Sequence, residues 1–296
     1  MFRLREAHGS AALSDTIGNP TETMATLASD GGGQRHVVIL VHGIRDFALW
    51  QARIRSTLEE DGFTCEVTNY GRFNLLQFLL PLWSFRENAI ETVWNQIRII
   101  KQNNEGALLS VIAHSFGTFV IAHLIQKDFA IKFHRIIFCG SVVQYGFPFE
   151  QIQERFSKPI INEVGTRDIW PAIAESVTIG YGSAGTYGFR RPLVRDRWHN
   201  GARHGYFLDP AFCKTFWSPF LRNGTIVLGA NTPESPRVWL QLVSIFKLKY
   251  VLVAGLLLLV LFYFIPESVP RTAWLWLTCP NNLSQSPPEE YERCNF

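Results

Sequence analysis

Ser115 stands in AHSFG, residues 113–117, with a small residue two positions to either side. A β-branched run leads into it and an apolar, helix-like pattern follows. A sharp strand-to-helix elbow presents a tip hydroxyl to a ligand and leaves no room for side chains flanking that tip. Such a hydroxyl is a poor nucleophile until an imidazole takes its proton and a carboxylate fixes the imidazole's tautomer. Both groups occur downstream: Asp168 in GTRDIWP and His204 in GARHGYF. Upstream, HGIRD at 42–46 supplies a turn. The backbone N–H groups of Ile44 and Phe116 are the candidate donors to a developing oxyanion. Ser115, Asp168 and His204 are thus the candidate nucleophile, acid and base, in that chain order. His42, Gly43 and Gly117 support the two turns. The chemistry is acyl transfer to water, which requires no metal and no organic cofactor.

Rivals exist for each partner. His199 lies five residues before His204, and Glu163 competes with Asp168 but falls inside a strand pattern. Asp196 is near His199 in sequence yet also within a strand, and His114 occupies an elbow position with no assigned chemistry.

The elements that must position these residues alternate between residues 36 and 228. Strands are expected at 36–43, 63–71, 107–113, 135–142, 159–165 and 191–199. Helices are expected at 49–60, 87–104, 116–127, 171–178 and 207–221; Ile90, Val93, Trp94, Ile97 and Ile100 mark one face of the second. Continuous apolar strands between amphipathic helices imply a mostly parallel sheet covered on both faces. Ligands bind such sheets at the carboxyl ends of the strands, and all four motifs fall just past a strand end.

With VHG at 41–43, AHSFG at 113–117, VGTRDIWP at 164–171 and HGYF at 204–207, the sequence resembles the α/β-hydrolases over about 190 residues. Ala113 stands where that family usually has the first elbow glycine. The resemblance implies an α/β-hydrolase fold and a serine esterase or lipase-like activity. The short connection from the strand at 135–142 to the one at 159–165 implies a minimal cap domain or none. The substrate class is a carboxylic ester or thioester, small or lipid. The other reading is an inactive hydrolase fold serving as a membrane-tethered binding module.

Composition narrows the classes further. The 296 residues are 47% hydrophobic and 18% charged, which excludes a disordered chain. A net charge of +3, with no basic stripe, argues against nucleic acid as a partner. Cys65, Cys139 and Cys213 are expected as buried, reduced thiols. Residues 1–34 read as a flexible arm without a signal peptide, and 35–228 as the hydrolase domain. Residues 229–247 read as a juxtamembrane linker or helix and 266–296 as a short tail, in which Cys279 and Cys294 can pair. Between these last two, residues 250–265 carry no charged or strongly polar side chain, so 248–265 is expected to be a transmembrane helix. Lys247 and Lys249 precede the uncharged run 250–265 and Glu289, Glu290 and Glu292 follow it, which places the hydrolase domain on the cytosolic side of a single-pass membrane protein. Two further groups stand out. The apolar segment 72–86, broken by Pro81, is core, a greasy rim to the acyl pocket or a membrane-dipping segment. Arg190, Arg191, Arg195, Arg197 and Arg203 are either a solvated face or a binding surface for lipid phosphates.

Overall fold

The computed structural model describes residues 34–44, 49–69, 78 and 83–264. The expected N-terminal arm, the Cys279–Cys294 pair and most of segment 72–86 lie outside the described residues. Six strands form one parallel sheet: β1 (His36–Val41), β2 (Thr64–Val67), β3 (Leu108–His114), β4 (Arg135–Cys139), β5 (Ile160–Gly165) and β6 (Val194–His199). Their order across the sheet is β2-β1-β3-β4-β5-β6. Successive side chains point to opposite faces, so the alternate residues of β1 enter two different cores. Val37, Ile39 and Val41 join Val111, Phe119 and Phe138 on one side. Val38 and Leu40 join Ile112, Trp50 and Trp217 on the other. Coverage on both faces explains why these strands read as unbroken apolar runs.

The helices that provide this cover are α1 (Leu49–Glu60), α2 (Trp83–Asn103) and α3 (Phe116–Lys127). They continue with α4 (Trp170–Val177), α5 (Ala184–Tyr187), α6 (Pro210–Phe212) and α7 (Ser218–Asn223). The helices expected at 49–60 and 116–127 occupy those residues. Several expected elements are shorter, for identifiable reasons. The strand expected to reach 142 ends at Cys139, because Gly140 turns away with φ 56°. The single helix expected near 207–221 is split by a π-helical turn at Cys213–Trp217. Pro219, in the first turn of α7, lacks the N–H that a continuous helix would use there. Between β4 and β5 stand only short 3₁₀ turns within Phe149–Arg155, so no cap domain is inserted at that point.

The packed region runs past residue 228. Ala230 N–H donates to the Trp198 carbonyl at 2.7 Å. Beyond it, α8 (Val238–Phe246) packs against α4 and buries Leu240 completely. Within the segment expected as a linker or helix, Ala230 and Leu240 thus attach the chain to the sheet domain. Next comes α9 (Leu248–Phe264), a 17-residue helix with no buried side chain. Among the described residues no helix is long and apolar enough to cross a membrane. The expected span 248–265 gains no support from the described helix, which ends at Phe264, and residue 265 lies outside the described residues.

Candidate active site

The chain steps from β1 to β2 on one side and then back to β3 on the other. The switch point of the sheet thus lies between the carboxyl ends of β1 and β3, where open α/β sheets bind ligands. Gly43 follows β1 and Ser115 follows β3 at this crevice. Ser115 has φ 55° and ψ −122°, a conformation that non-glycine residues rarely adopt. Its N–H is tied to the Cys139 carbonyl at 2.9 Å, and Thr118 Oγ1 donates to its carbonyl at 2.7 Å. Its side chain does not cap α3. Strain held at a helix start, with the hydroxyl left free of the helix, belongs to sites that act on a ligand.

The glycines beside the elbow have steric reasons. A Cβ at Gly117 would lie 2.6 Å from the Val41 carbonyl oxygen and 2.8 Å from that of His42. One at Gly43 would lie 2.7 Å from Ser115 Cβ. The two turns therefore interlock, and only hydrogen fits between them. Phe116 is buried at the start of α3, whose first turn carries no acidic residue. Its amide lies at the positive end of the helix. Ile44 is half-buried, and residues 45–48 of the same turn lie outside the described residues. His42 Nδ1 donates to the Gly43 carbonyl at 2.6 Å, a bond that braces the turn.

Asp168 and His204 come together from the ends of β5 and β6. His204 Nδ1 lies 2.8 Å from Asp168 Oδ2. The carboxylate is fully buried, whereas the imidazole is partly exposed. Asp168 Oδ1 accepts the Trp170 N–H at 3.2 Å, and the Asp168 carbonyl accepts Thr186 Oγ1 at 2.7 Å. An ionised carboxylate only accepts, so the proton of neutral His204 sits on Nδ1 and Nε2 keeps a free lone pair.

The rivals are placed elsewhere. His199 Nε2 bonds Glu163 Oε2 at 2.8 Å, and both side chains are buried. Glu163 also accepts from Trp217 Nε1 at 2.9 Å and forms an ion pair with buried Arg197. Burial pushes the Glu163 carboxyl up, but its bonds to Arg197 and His199 hold it below the usual carboxylate range. This is a satisfied core network. Asp196 fastens a turn by accepting the N–H groups of Phe189 and Arg190. The arginines read as one group are accordingly dispersed. Arg197 lies in the core and Arg191 pairs with Glu150, leaving Arg203 beside His204.

Two contributors were not legible in the sequence. His114 is buried beneath His204, with ring centroids 4.5 Å apart, and its Nε2 donates to the His204 carbonyl at 3.0 Å. Burial, then the neighbouring His204, hold its pKa well below the ordinary histidine value, so His114 is a neutral donor that positions the loop. Gly140 is the other. With φ 56°, a Cβ there would lie 2.7 Å from His204 Cε1 and 2.8 Å from Nδ1. Gly140→Ala should displace the imidazole and lower kcat by about 10²-fold, the scale of a 1 Å misplacement. The check is steady-state ester hydrolysis by folded protein, and an unchanged kcat would remove Gly140 from the site. Cys65, Cys139 and Cys213 are free and buried, and burial pushes the Cys65 and Cys213 thiols up to about 12. Among the described residues, no group of three or more His, Cys, Asp or Glu is arranged to hold a metal ion.

No family model matches the chain, and no curated protein matches its sequence. Solved structures do resemble it. One is an alpha-beta serine hydrolase homologue from Coxiella burnetii, 14% identical, covering 64% of this chain and 85% of that one at a TM-score of 0.42. An esterase of Pyrococcus furiosus is 14% identical, covering 63% and 80% at a TM-score of 0.41. A thermostable carboxyl esterase from Bacillus coagulans is 11% identical, covering 62% and 87% at a TM-score of 0.41. At these identities and scores they are neighbours only. What Ser115, Asp168 and His204 can do rests on the geometry of this chain.

Proposed function

We infer that the protein is a serine hydrolase of the α/β-hydrolase type that cleaves a carboxylic ester or thioester through an acyl-Ser115 intermediate. The observation that carries this reading is the 2.8 Å contact of His204 Nδ1 with fully buried Asp168, on the same sheet edge as a serine held at φ 55°. Ser115 Oγ attacks the carbonyl carbon as its proton passes to His204 Nε2. Asp168 supports the imidazolium, and the N–H groups of Phe116 and Ile44 hold the oxyanion. His204 then protonates the leaving alcohol or thiol. Water, deprotonated by the same imidazole, attacks the acyl-enzyme and releases the acid and free Ser115. The imidazolium returns its proton to Ser115 Oγ as the acid leaves, so every proton passes among serine, substrate, water and imidazole, and the steps need no cofactor. Labelling of the purified full-length protein with a fluorophosphonate probe tests the reading, and a protein that takes up no probe would overturn it.

The same reading places the enzyme on a membrane, anchored by the apolar segment 248–265 with its catalytic domain in the cytosol. Its support is the sequence itself: residues 250–265 carry no charged or strongly polar side chain, and Lys247 and Lys249 stand before that run. Tethering raises the encounter rate with lipid esters. Full-length protein should therefore resist extraction from membranes by alkaline carbonate, and a chain ending after residue 246 should not. The cut belongs there rather than before α8, because Leu240 is part of the core. Carbonate release of the full-length chain would end the anchor proposal.

A further inference from the structure

A cavity of about 460 Å³ opens beside the candidate base. Its wall includes His204, and around it stand Arg167, Arg203 and Arg237 with Trp170 and Trp239. The arrangement follows from the chain. Arg167 immediately precedes the candidate acid, Arg203 immediately precedes the candidate base, and Arg237 stands at the start of docked α8. All three are exposed, and no ion pair or side-chain hydrogen bond engages them among the described residues. Arg98, Arg191 and Arg197, by contrast, are each paired with a carboxylate. No Asp or Glu is among the described residues that line the cavity. The nearest carboxylate in sequence, Asp168, is buried and committed to His204 and the Trp170 N–H. The nine-residue α8 also begins here with no acidic residue in its first turn, which adds the positive end of a helix.

Three like charges around one cavity repel each other, and an anion between them removes that cost. A guanidinium fork matches the oxygens of a phosphate in bidentate fashion. A single carboxylate has only two oxygens to share among three forks, whereas a terminal phosphate has three and carries nearly two charges near neutrality. The tryptophans are 45% and 43% exposed and form an apolar rim, as a small-molecule site requires.

We propose that the Arg167–Arg203–Arg237 cavity binds the phosphate group of the ester that the adjacent site cleaves, so that the substrate class is a phosphorylated ester or thioester. This rests on the serine-hydrolase reading for its second half only; the anion site stands on its own contacts. The phosphate belongs either to a lipid headgroup or to a water-soluble phosphorylated ester.

The test uses full-length protein in neutral detergent, with inorganic pyrophosphate as the probe and calorimetry as the readout. Wild type and Ser115→Ala should bind it alike, and Arg203→Gln/Arg237→Gln should bind it at least about tenfold more weakly, the scale of one lost charge-assisted bond. Arg203→Lys, which keeps the charge and loses the fork, should fall between them and guards against a double variant that misfolds. In turnover, the double variant should lower the ratio of kcat/KM for a short-chain acyl glycerol phosphate over the matching acyl glycerol by at least about tenfold. A larger ratio for long-chain phosphatidic acid in phosphatidylcholine vesicles would support the lipid source, and a larger one for the soluble ester would support the free source. Absence of pyrophosphate binding, equal binding by the double variant, or an unchanged ratio would each overturn the proposal. Arginine-dependent pyrophosphate binding by a wild type that hydrolyses neither ester would support the anion site and remove the hydrolase reading alone.

Discussion

Ser115→Ala should yield a folded protein that takes up no fluorophosphonate and hydrolyses no ester above background. The expected loss in kcat is very large, about 10⁶-fold where a serine protease loses its nucleophile. The fold should survive because the side chain holds nothing together: it does not cap α3, and the bonds that secure the elbow use the backbone of Ser115. Alanine at φ 55° keeps the strain, so the melting temperature should stay within a few degrees. Ser115→Gly separates strain from chemistry, since glycine adopts positive φ at little cost. It should be as inactive as the alanine variant yet more stable by about 1 kcal/mol, which raises the melting temperature of a domain this size by about 2–4 °C. Mass spectrometry of the labelled peptide and a thermal melt read both effects. Probe uptake that persists in Ser115→Ala would assign the nucleophile to another residue. A glycine variant that melts lower would show that the elbow is not strained.

What was legible in the sequence followed from local rules. The apolar runs of β1 and β3 and the helix at 116–127 are read from periodicity alone, because burial on both faces of a parallel sheet leaves few polar residues to blur the pattern. Asp168 and His204 were legible because a parallel sheet gathers its strand ends on one edge, so chain order predicts proximity. The rest depended on contacts between distant segments. His114 bonds the carbonyl of a residue 90 positions away, and nothing local distinguishes it from a free elbow residue. Gly140 looks like an ordinary turn glycine until the imidazole is placed against it. The docking of α8 against α4 shows, among the described side chains, as the burial of Leu240, in a helix whose composition suits a membrane surface equally well. The arginines misled for the converse reason: adjacency in sequence suggested one patch, but Arg197 is drawn into the core by its ion pair with Glu163, a partner 34 residues away, while Arg195 on the same strand face stays exposed.

The choice between two histidines five residues apart gives the second large effect. His204→Ala removes the only imidazole bonded to Asp168 among the described residues and should lower kcat by several orders of magnitude. Asp168→Asn should do nearly as much, about 10⁴-fold, because an amide that donates to Nδ1 forces the proton onto Nε2, where the lone pair is needed. His199→Ala acts on a different quantity. It takes one of three partners from Glu163, and Arg197 and Trp217 remain to hold the carboxylate. The expected result is a protein less stable by about 1–3 kcal/mol, the cost of leaving a buried polar group short of a bond, with kcat retained at temperatures where it stays folded. A third variant, Glu163→Gln, should also retain kcat while folded but lose more stability, about 3–5 kcal/mol, because it leaves buried Arg197 without its carboxylate and does not touch Asp168. Denaturant melts and ester kinetics on the same preparations separate the two behaviours. An inactive but stable His199→Ala, beside an active His204→Ala, would move the base to His199 and make Glu163 its acid.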